Sequence, residues 1–167
     1  MVNIIMEKAF VKSVENYIFK NDKKYTKEIA AKRTQIPLQF RTSRYLFRGM
    51  ILDESFVGAI QNGYDKFILD DITSWTTDQR IAERFVSDKS KIVKNNPTGI
   101  GVVFKKKISD SKIILDIQNY VLFLDVMGML KDFGFDESTK DMGLEEFEVL
   151  VDKGINLRKG DIFKVVK

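Results

Sequence analysis

The sequence contains no cysteine and no histidine. Without cysteine, the chain cannot form a disulfide, bind zinc through thiolates or use a thiol as a nucleophile. Without histidine, it lacks the usual general base, the serine–histidine–carboxylate triad and the commonest transition-metal ligand. Acid–base chemistry near neutral pH would therefore depend on carboxylates, lysine or tyrosine. We expect no metal site, and any catalysis should depend on carboxylates.

Long apolar runs are missing as well. The sequence does not begin with a basic segment followed by an apolar run, so no signal peptide is recognisable. The most apolar stretch, residues 120–130, contains Asp125 and is too short to cross a bilayer. We therefore expect a soluble protein of a reducing cytoplasm, without a membrane partner.

The rest of the composition is that of an ordinary globular protein. We expect the 167 residues to form a single domain with a sizeable core, since 44% of them are hydrophobic and 31% are charged. Thirteen phenylalanines against one tryptophan predict a core of Phe, Ile, Leu and Val. The net charge of +4 is too small to establish either a nucleic-acid or an acidic-protein partner.

Sequence patterning predicts helices first and strands later. Residues 7–19 carry apolar side chains at helical spacing, and a second helix is predicted through residues 27–32, so residues 1–40 should be mainly helical. Strands are predicted at residues 45–49, 72–76, 100–104, 112–117, 146–151 and 161–166. This order predicts an α+β fold with a mostly antiparallel sheet.

Two further helices are predicted between the strands. Asp53 can cap a helix that ends at Asn62-Gly63. Residues 77–85 should form a capped helix with Phe85 facing inward. Loops are predicted at residues 94–99 and 134–143. Residues 120–130 could form either a helix or a strand, and their length favours a helix.

The clearest functional signal is Glu146-Phe147-Glu148, which directly precedes the apolar run Val149-Leu150-Val151. Residues two apart in a strand point to the same face, so this spacing predicts two carboxylates directed at one point. Like charges so close are unfavourable unless a cation or a reaction uses them. We therefore expect a site where this strand enters a buried sheet.

Two other motifs precede the glutamates. Phe47-Arg48-Gly49 places an arginine at the end of an aromatic strand, and Ser74-Trp75-Thr76-Thr77 is a hydroxyl-rich strand that leads into a helix. Singly, each motif has a structural explanation: a solvated strand face for the glutamates, a surface ion pair for the arginine and a helix cap for the hydroxyls. Trp75 is expected in the core. The combination and its order favour a site.

In this order the three motifs resemble the Arg-Ser-Glu branch of the mono-ADP-ribosyltransferases, which contains clostridial binary-toxin enzymes, vertebrate arginine-specific transferases and phage-encoded enzymes. The resemblance runs from about residue 45 to residue 166 and includes Gly154. It implies one domain over residues 1–167, in which helices of residues 1–40 pack on a split, mostly antiparallel sheet core of the ADP-ribosyltransferase type, residues 45–166. The absence of histidine excludes the His-Tyr-Glu branch.

The resemblance implies that the chain cleaves NAD and releases nicotinamide without a metal. Glu148 would hold a ribose hydroxyl and stabilise the positive charge that develops on the sugar. Arg48 would bind the pyrophosphate with its planar guanidinium. Ser74 would fix the rotamer of Glu148 by hydrogen bonding.

The remaining matched positions concern the cofactor and the acceptor. Gly49 matches the place where the family backbone holds the nicotinamide amide. Thr76 keeps one hydroxyl of the family's Ser-Thr-Ser motif, whereas Trp75 departs from it. Glu146 matches the residue that positions or deprotonates the acceptor, and a glutamate there is typical of arginine-specific members.

The resemblance therefore implies ADP-ribosylation of arginine in a bacterial protein, with a nucleic acid as the alternative acceptor and an antitoxin as a further candidate partner. A phage-encoded enzyme would act in the host cytoplasm. A glycosidase and a non-catalytic NAD-binding or nucleic-acid-binding module are the competing functions. The two carboxylates of a glycosidase flank the sugar from opposite sides, so a pair of glutamates on one face of one strand fits a glycosidase poorly. The binding module lacks stacking aromatics interleaved with basic residues on one strand.

Overall fold

The computed structural model describes residues 3–64, 66–88 and 97–166. Its α-helices are α1 Lys8–Lys20, α2 Lys23–Ala31, α3 Glu54–Gln61, α4 Gln79–Ser87, α5 Ile117–Val126, α6 Met129–Asp132 and α7 Glu137–Glu145. Its strands are β1 Arg44–Asp53, β2 Phe67–Leu69, β3 Thr73–Thr76, β4 Gly99–Ile108, β5 Ile113–Asp116, β6 Glu148–Val151, β7 Ile155–Leu157 and β8 Ile162–Val166.

Six strands form one sheet in the order β5-β6-β3-β1-β4-β8, and their recorded pairings are antiparallel. β2 and β7 form a separate two-stranded antiparallel ladder. The prediction of an α+β fold with a mostly antiparallel sheet is confirmed. The predicted order of helices first and strands later is wrong, because α5, α6 and α7 lie between β5 and β6.

The central strands are covered on both faces. One cluster contains Leu150 of β6 together with buried residues of α1 and α5, and the opposite cluster contains Val149 of β6 and Trp75 of β3. Successive side chains of a strand point to opposite faces, so β6 must be apolar at every position after its first residue. This double burial explains the uninterrupted run that follows Glu148.

α1 is the predicted amphipathic helix. Its buried residues, Phe10, Val14, Tyr17 and Ile18 among them, share the face that the sequence spacing indicates. It ends at Asn21, which adopts a left-handed conformation. α2 begins at Lys23, earlier than predicted, because the Asp22 side chain accepts a hydrogen bond from the Lys24 amide and caps it.

The predicted loop at residues 134–143 is wrong, because residues 137–145 form α7. The helix packs closely on its neighbours at Gly143, where an added Cβ would lie 3.1 Å from Ile18 and 3.1 Å from Val121. Tertiary packing thus outweighs the low helix propensity of glycine. The ambiguous residues 120–130 are helical, and Gly128, with φ of 69°, separates α5 from α6.

The predictions for residues 53–99 hold only in part. Asp53 caps α3 as predicted, accepting a hydrogen bond from the Ser55 amide at 2.9 Å. Phe85, predicted to face inward, is 53% exposed, since the buried face of α4 is formed by Ala82 and Val86. Of the predicted loop at residues 94–99, positions 94–96 lie outside the described residues, positions 97–98 form a turn and β4 begins at the next residue.

Candidate active site around Glu148

Glu148 is the first residue of β6, at the point where the buried part of the strand begins. It pairs with Thr76 of β3, while Ser74 of the same strand pairs with Leu150. Residues that face each other across an antiparallel pair share one face of the sheet. Ser74, Thr76 and Glu148 therefore lie together on the face that packs toward α1, with Glu148 half-buried.

α1 contributes a residue to this site. Tyr17 is 4% exposed, and its hydroxyl donates a hydrogen bond to Glu148 Oε1. Burial raises the pKa of Tyr17 well above its usual range, and the neighbouring carboxylate of Glu148 raises it further. The phenol therefore keeps its proton and acts as a permanent donor to Glu148.

The surroundings of Glu148 shift its pKa in opposite directions. Burial raises its pKa above the usual range for a glutamate, and the nearby Glu146 acts in the same direction. Hydrogen bonds from Ser74 and Tyr17, together with the positive charge of Arg48, lower the pKa but do not cancel the effect of burial. The result is a poorly solvated carboxylate surrounded by donors, an arrangement suited to stabilising a cation.

Arg48 lies on the other side of Ser74. Its Nη1 donates a hydrogen bond to the Ser74 carbonyl, and its charge acts on Glu148. Among the described residues, Arg48 Nε is a buried side-chain nitrogen without a hydrogen-bond partner. A buried unsatisfied donor of this kind is costly, so a ligand acceptor at this position would be favourable.

The position of Arg48 in its strand differs from the prediction. Arg48 does not end β1, because β1 continues to Asp53 along its ladder with β4. On its other side, β1 pairs with β3 at Phe47 and Thr76, a single recorded residue pair. The Arg48 side chain contacts the backbone of β3 next to this short pairing, which is how it reaches the site of Glu148.

The predicted same-face pair of glutamates on one strand is wrong. Glu146 does not belong to β6 but follows the last turn of α7, with helical backbone angles. Phe147 has a φ of 49° in the left-handed region, which is unusual for an aromatic residue, and this reverses the chain before Glu148. Glu146 is exposed, whereas Glu148 is half-buried.

The two carboxylates nevertheless remain neighbours, since Glu146 contributes to the raised pKa of Glu148. Burial raises the pKa of Glu146 too, partly offset by the charge of Arg84. The helix end of Glu146 is anchored to β3, where the Thr76 hydroxyl donates to the Glu146 carbonyl at 3.2 Å. The Thr77 amide also donates to the Phe147 carbonyl, at 3.1 Å.

Thr76, Trp75 and Gly49, which the sequence analysis also singled out, each make contacts that stabilise the fold. Thr76 is 6% exposed, and besides its bond to the carbonyl of Glu146 it accepts one from the Asp78 amide at 3.1 Å. Trp75 is buried in the core as predicted, and its Nε1 donates to the Thr73 hydroxyl at 3.0 Å. An added Cβ at Gly49 would lie 2.4 Å from the Ala82 carbonyl oxygen, so close packing of α4 requires this glycine.

Sequence reasoning missed Tyr17 as a site residue. The available signal was a tyrosine on the buried face of an otherwise apolar helix, since a buried tyrosine hydroxyl usually needs a hydrogen-bond partner. That signal does not identify the partner, because Glu148 lies 131 positions away.

A concave surface lies elsewhere on the molecule, away from Glu148. It is an open depression between the end of β4 and the β7 region, and its lining is rich in basic side chains, including Lys106, Lys107, Lys112 and Arg158. Its carboxylate, Asp161, is paired with Lys106 at 3.0 Å. The depression shares no residue with the site around Glu148.

No protein-family model matches the chain, and neither the curated proteins nor the solved structures gave a match.

Within the described residues, no helix combines the length and apolar character needed to cross a membrane. The same residues contain no group of three or more acidic side chains that could hold a metal ion.

Proposed function

We propose that this protein is a mono-ADP-ribosyltransferase that transfers ADP-ribose from NAD to an acceptor, preferentially an arginine side chain, and releases nicotinamide. The observation that carries the proposal is the meeting of Arg48, Ser74 and Glu148 at one place, although they come from three strands. The sequence motifs predict these three residues as the site. The short pairing between β1 and β3 fits a split sheet core of the ADP-ribosyltransferase type.

Glu148 acts on the sugar. The bond between nicotinamide and C1 of the ribose breaks with its electron pair leaving on nicotinamide, so positive charge develops on the sugar ring. A fixed carboxylate in a poorly solvated site stabilises that charge more than it would in water. Tyr17 and Ser74 hold the carboxylate in place through their hydrogen bonds, so little reorganisation is needed.

Arg48 binds the pyrophosphate. One end of its guanidinium is fixed by the Ser74 carbonyl, and its buried Nε has no hydrogen-bond partner among the described residues. A phosphate oxygen supplies the missing acceptor, and the charge of the guanidinium favours an anion. Binding of NAD would therefore satisfy a donor that is unsatisfied among the described residues.

Glu146 acts on the acceptor. The acceptor nitrogen forms a bond to C1 of the ribose and gives up one proton, which Glu146 accepts. Its exposed position at the end of α7 lets it face an incoming macromolecule, while Glu148 faces the sugar. Its raised pKa makes it a better proton acceptor than a fully solvated glutamate.

The experiment is an assay of nicotinamide release from NAD, followed by mass analysis of an arginine-containing acceptor such as agmatine. Wild-type protein should release nicotinamide in the presence of a chelator and add one ADP-ribose to the acceptor. Glu148→Gln should abolish both. Glu145→Gln, an exposed glutamate at the end of α7, is the matched control and should leave both unchanged.

A folded wild-type protein that releases no nicotinamide would contradict the proposal in favour of a non-catalytic module. Hydrolysis of glycosides without NAD cleavage would favour a glycosidase. Glu146 and Glu148 do not share one strand face, so their placement does not count against a glycosidase. The assay with both substrate classes decides between these functions.

A further inference from the structure

Three aromatic side chains surround one lysine on the sheet beside the candidate active site. Lys105 Nζ lies 5.3 Å from the ring centroid of Tyr45, 5.6 Å from that of Phe47 and 5.7 Å from that of Phe163. The rings of Phe47 and Phe163 meet edge to face, with centroids 5.4 Å apart. Lys107 pairs with Tyr45 across β1 and β4. These five residues form what we call the aromatic–lysine platform.

The platform is accessible. Tyr45 is 59% exposed and Phe163 is 41% exposed, while Lys105 and Lys107 are both exposed. Within the part of the chain that the structure describes, neither lysine forms an ion pair with a carboxylate. The neighbouring basic residues differ, since Lys106 pairs with Asp161 and Lys164 with Glu83. The platform therefore presents uncompensated positive charge next to flat apolar rings.

The platform also lies in line with the candidate active site. Glu148 pairs with Thr76, Thr76 with Phe47, and Phe47 with Lys105, so these residues form one row across four strands on the same face of the sheet. Neighbouring strands are about 4.8 Å apart, so the backbone of Lys105 lies roughly 14 Å from that of Glu148. A ligand of a few nucleotides could span that distance.

We propose that the aromatic–lysine platform binds single-stranded nucleic acid, with its bases stacked on the rings and its phosphates bound by Lys105 and Lys107. Aromatic rings combined with unpaired cations are the usual means of binding single strands. An acidic peptide would satisfy the lysines but has no flat bases to stack on the rings. A duplex keeps its bases stacked inside, out of reach of the rings.

A strand bound here would run along the row toward Glu148. This orientation rests on the proposed function, and it makes a nucleic acid a second candidate acceptor beside arginine. Binding itself does not depend on NAD chemistry. Sequence patterning did not indicate the platform, because its aromatic residues come from β1 and β8 and its lysines from β4.

The test is fluorescence anisotropy with labelled single-stranded RNA and DNA of about 20 nucleotides, longer than a typical binding site of this kind, in the absence of NAD. Single strands should bind, and more weakly as salt is raised. Tyr45→Ala and Phe163→Ala should each weaken binding about fivefold or more, because each removes one stacking surface. Lys105→Gln should weaken binding and reduce the salt dependence by about one phosphate contact.

Two matched controls lie on α1 and α6, outside the aromatic–lysine platform. Phe19→Ala removes a phenylalanine that is 61% exposed on α1, and Lys131→Gln removes an exposed lysine of α6; both should leave binding unchanged. Platform variants that bind like wild type, or duplex that binds as well as single strands, would overturn the proposal. The proposal would also be overturned if polyglutamate competed fully with the labelled strand and bound equally well to Tyr45→Ala and Phe163→Ala. That result would indicate an acidic protein partner.

Nicotinamide release measured on the same preparations separates this proposal from the proposed function. Cleavage of NAD without strand binding overturns only the platform. Strand binding without NAD cleavage supports the platform and overturns only the transferase. Because Tyr45 and Phe163 are largely exposed, circular dichroism should show both alanine variants folded, and either one suffices for the test.

Discussion

The hydroxyl of Tyr17 donates a hydrogen bond to the carboxylate of Glu148, joining the N-terminal helix to the first residue of β6. Tyr17 is buried and Glu148 is half-buried, so the bond is stronger than it would be in water. Through it, the helical N-terminal part of the chain takes part in the site and does not merely cover the sheet.

Tyr17→Phe tests this relationship through the pH dependence of nicotinamide release. In the proposed reaction the ionised form of Glu148 stabilises the sugar cation, so activity should rise with pH through the pKa of Glu148. The Tyr17 hydroxyl lowers that pKa, and its loss should move the acidic limb of the profile to higher pH. Activity should therefore fall more at acidic than at alkaline pH.

The control for this variant is Tyr120→Phe. Tyr120 is also a buried tyrosine, but its hydroxyl donates to the Ile5 carbonyl at 2.5 Å, away from Glu148. It should lower thermal stability without shifting the pH profile. Equal profiles for wild type and Tyr17→Phe would show that the hydroxyl has no role in tuning Glu148.

Glu148→Gln should make the protein more stable as well as inactive. Burial raises the pKa of Glu148 in the folded chain, so the folded state binds the proton more tightly than the unfolded state does. Stability is therefore lost as pH rises through the raised pKa, and glutamine escapes this loss. The variant should melt at a higher temperature than wild type at neutral pH.

The gain should disappear below the pKa of the unfolded carboxyl, near about 4.3. For a chain of this length, each 1 kcal/mol corresponds to about 2–4 °C in Tm. Thermal melts followed by circular dichroism at several pH values measure the effect, with Glu145→Gln as an exposed control. A Glu148→Gln variant less stable than wild type at neutral pH would mean that hydrogen bonding outweighs burial.

Arg48→Lys should weaken NAD binding although it keeps the charge. An ammonium group cannot contact the Ser74 carbonyl and a phosphate in the way that a planar guanidinium can. Loss of one charge-assisted hydrogen bond costs about 1.5–3 kcal/mol, roughly a tenfold to 150-fold rise in KM. Steady-state kinetics of nicotinamide release measure the KM for NAD.

Arg44→Lys is the control for Arg48→Lys. Arg44 lies on the same strand and forms an ion pair with the buried Asp116 at 2.7 Å. Its replacement should reduce stability and leave KM for NAD unchanged. If both arginine variants keep the wild-type KM, Arg48 does not contact NAD.

Glu146→Gln should separate cleavage from transfer. Glu146 lies outside β6 and is exposed, and in the proposed reaction it acts on the acceptor and not on the sugar. Nicotinamide release by hydrolysis should be largely kept, while labelling of arginine should fall strongly. Both rates can be measured in one reaction with agmatine. An equal fall in both would place Glu146 in the cleavage step.

Ser74→Ala should reduce activity less than Glu148→Gln and leave the fold stable. The hydroxyl lowers the pKa of Glu148, so its loss should also shift the acidic limb upward. The backbone carbonyl that holds Arg48 is retained. Asp78, not Ser74, caps α4, accepting from the Arg80 amide at 2.8 Å. Asp78→Ala should cost about 1 kcal/mol of stability without a pH shift, a clear contrast.

The sequence alone determined many of the local elements and predicted the central residues of the candidate site. The buried face of α1, the cap at Asp53 and the apolar run of β6 follow from spacing and residue type, which act over a few positions. The fold class followed from the order of these patterns. Arg48, Ser74 and Glu148 were predicted as one site because their motifs occur in a recognisable order, and the structure places them together.

Tertiary structure decided what depends on contacts between distant residues. Residues 137–145 are helical because Gly143 packs closely against α1 and α5, which local propensity does not indicate. The left-handed Phe147 removes Glu146 from the strand, although alternation along the sequence predicts it there. The contact of Tyr17 with Glu148 and the aromatic–lysine platform require segments far apart in the chain to meet, and only the packed fold brings them together.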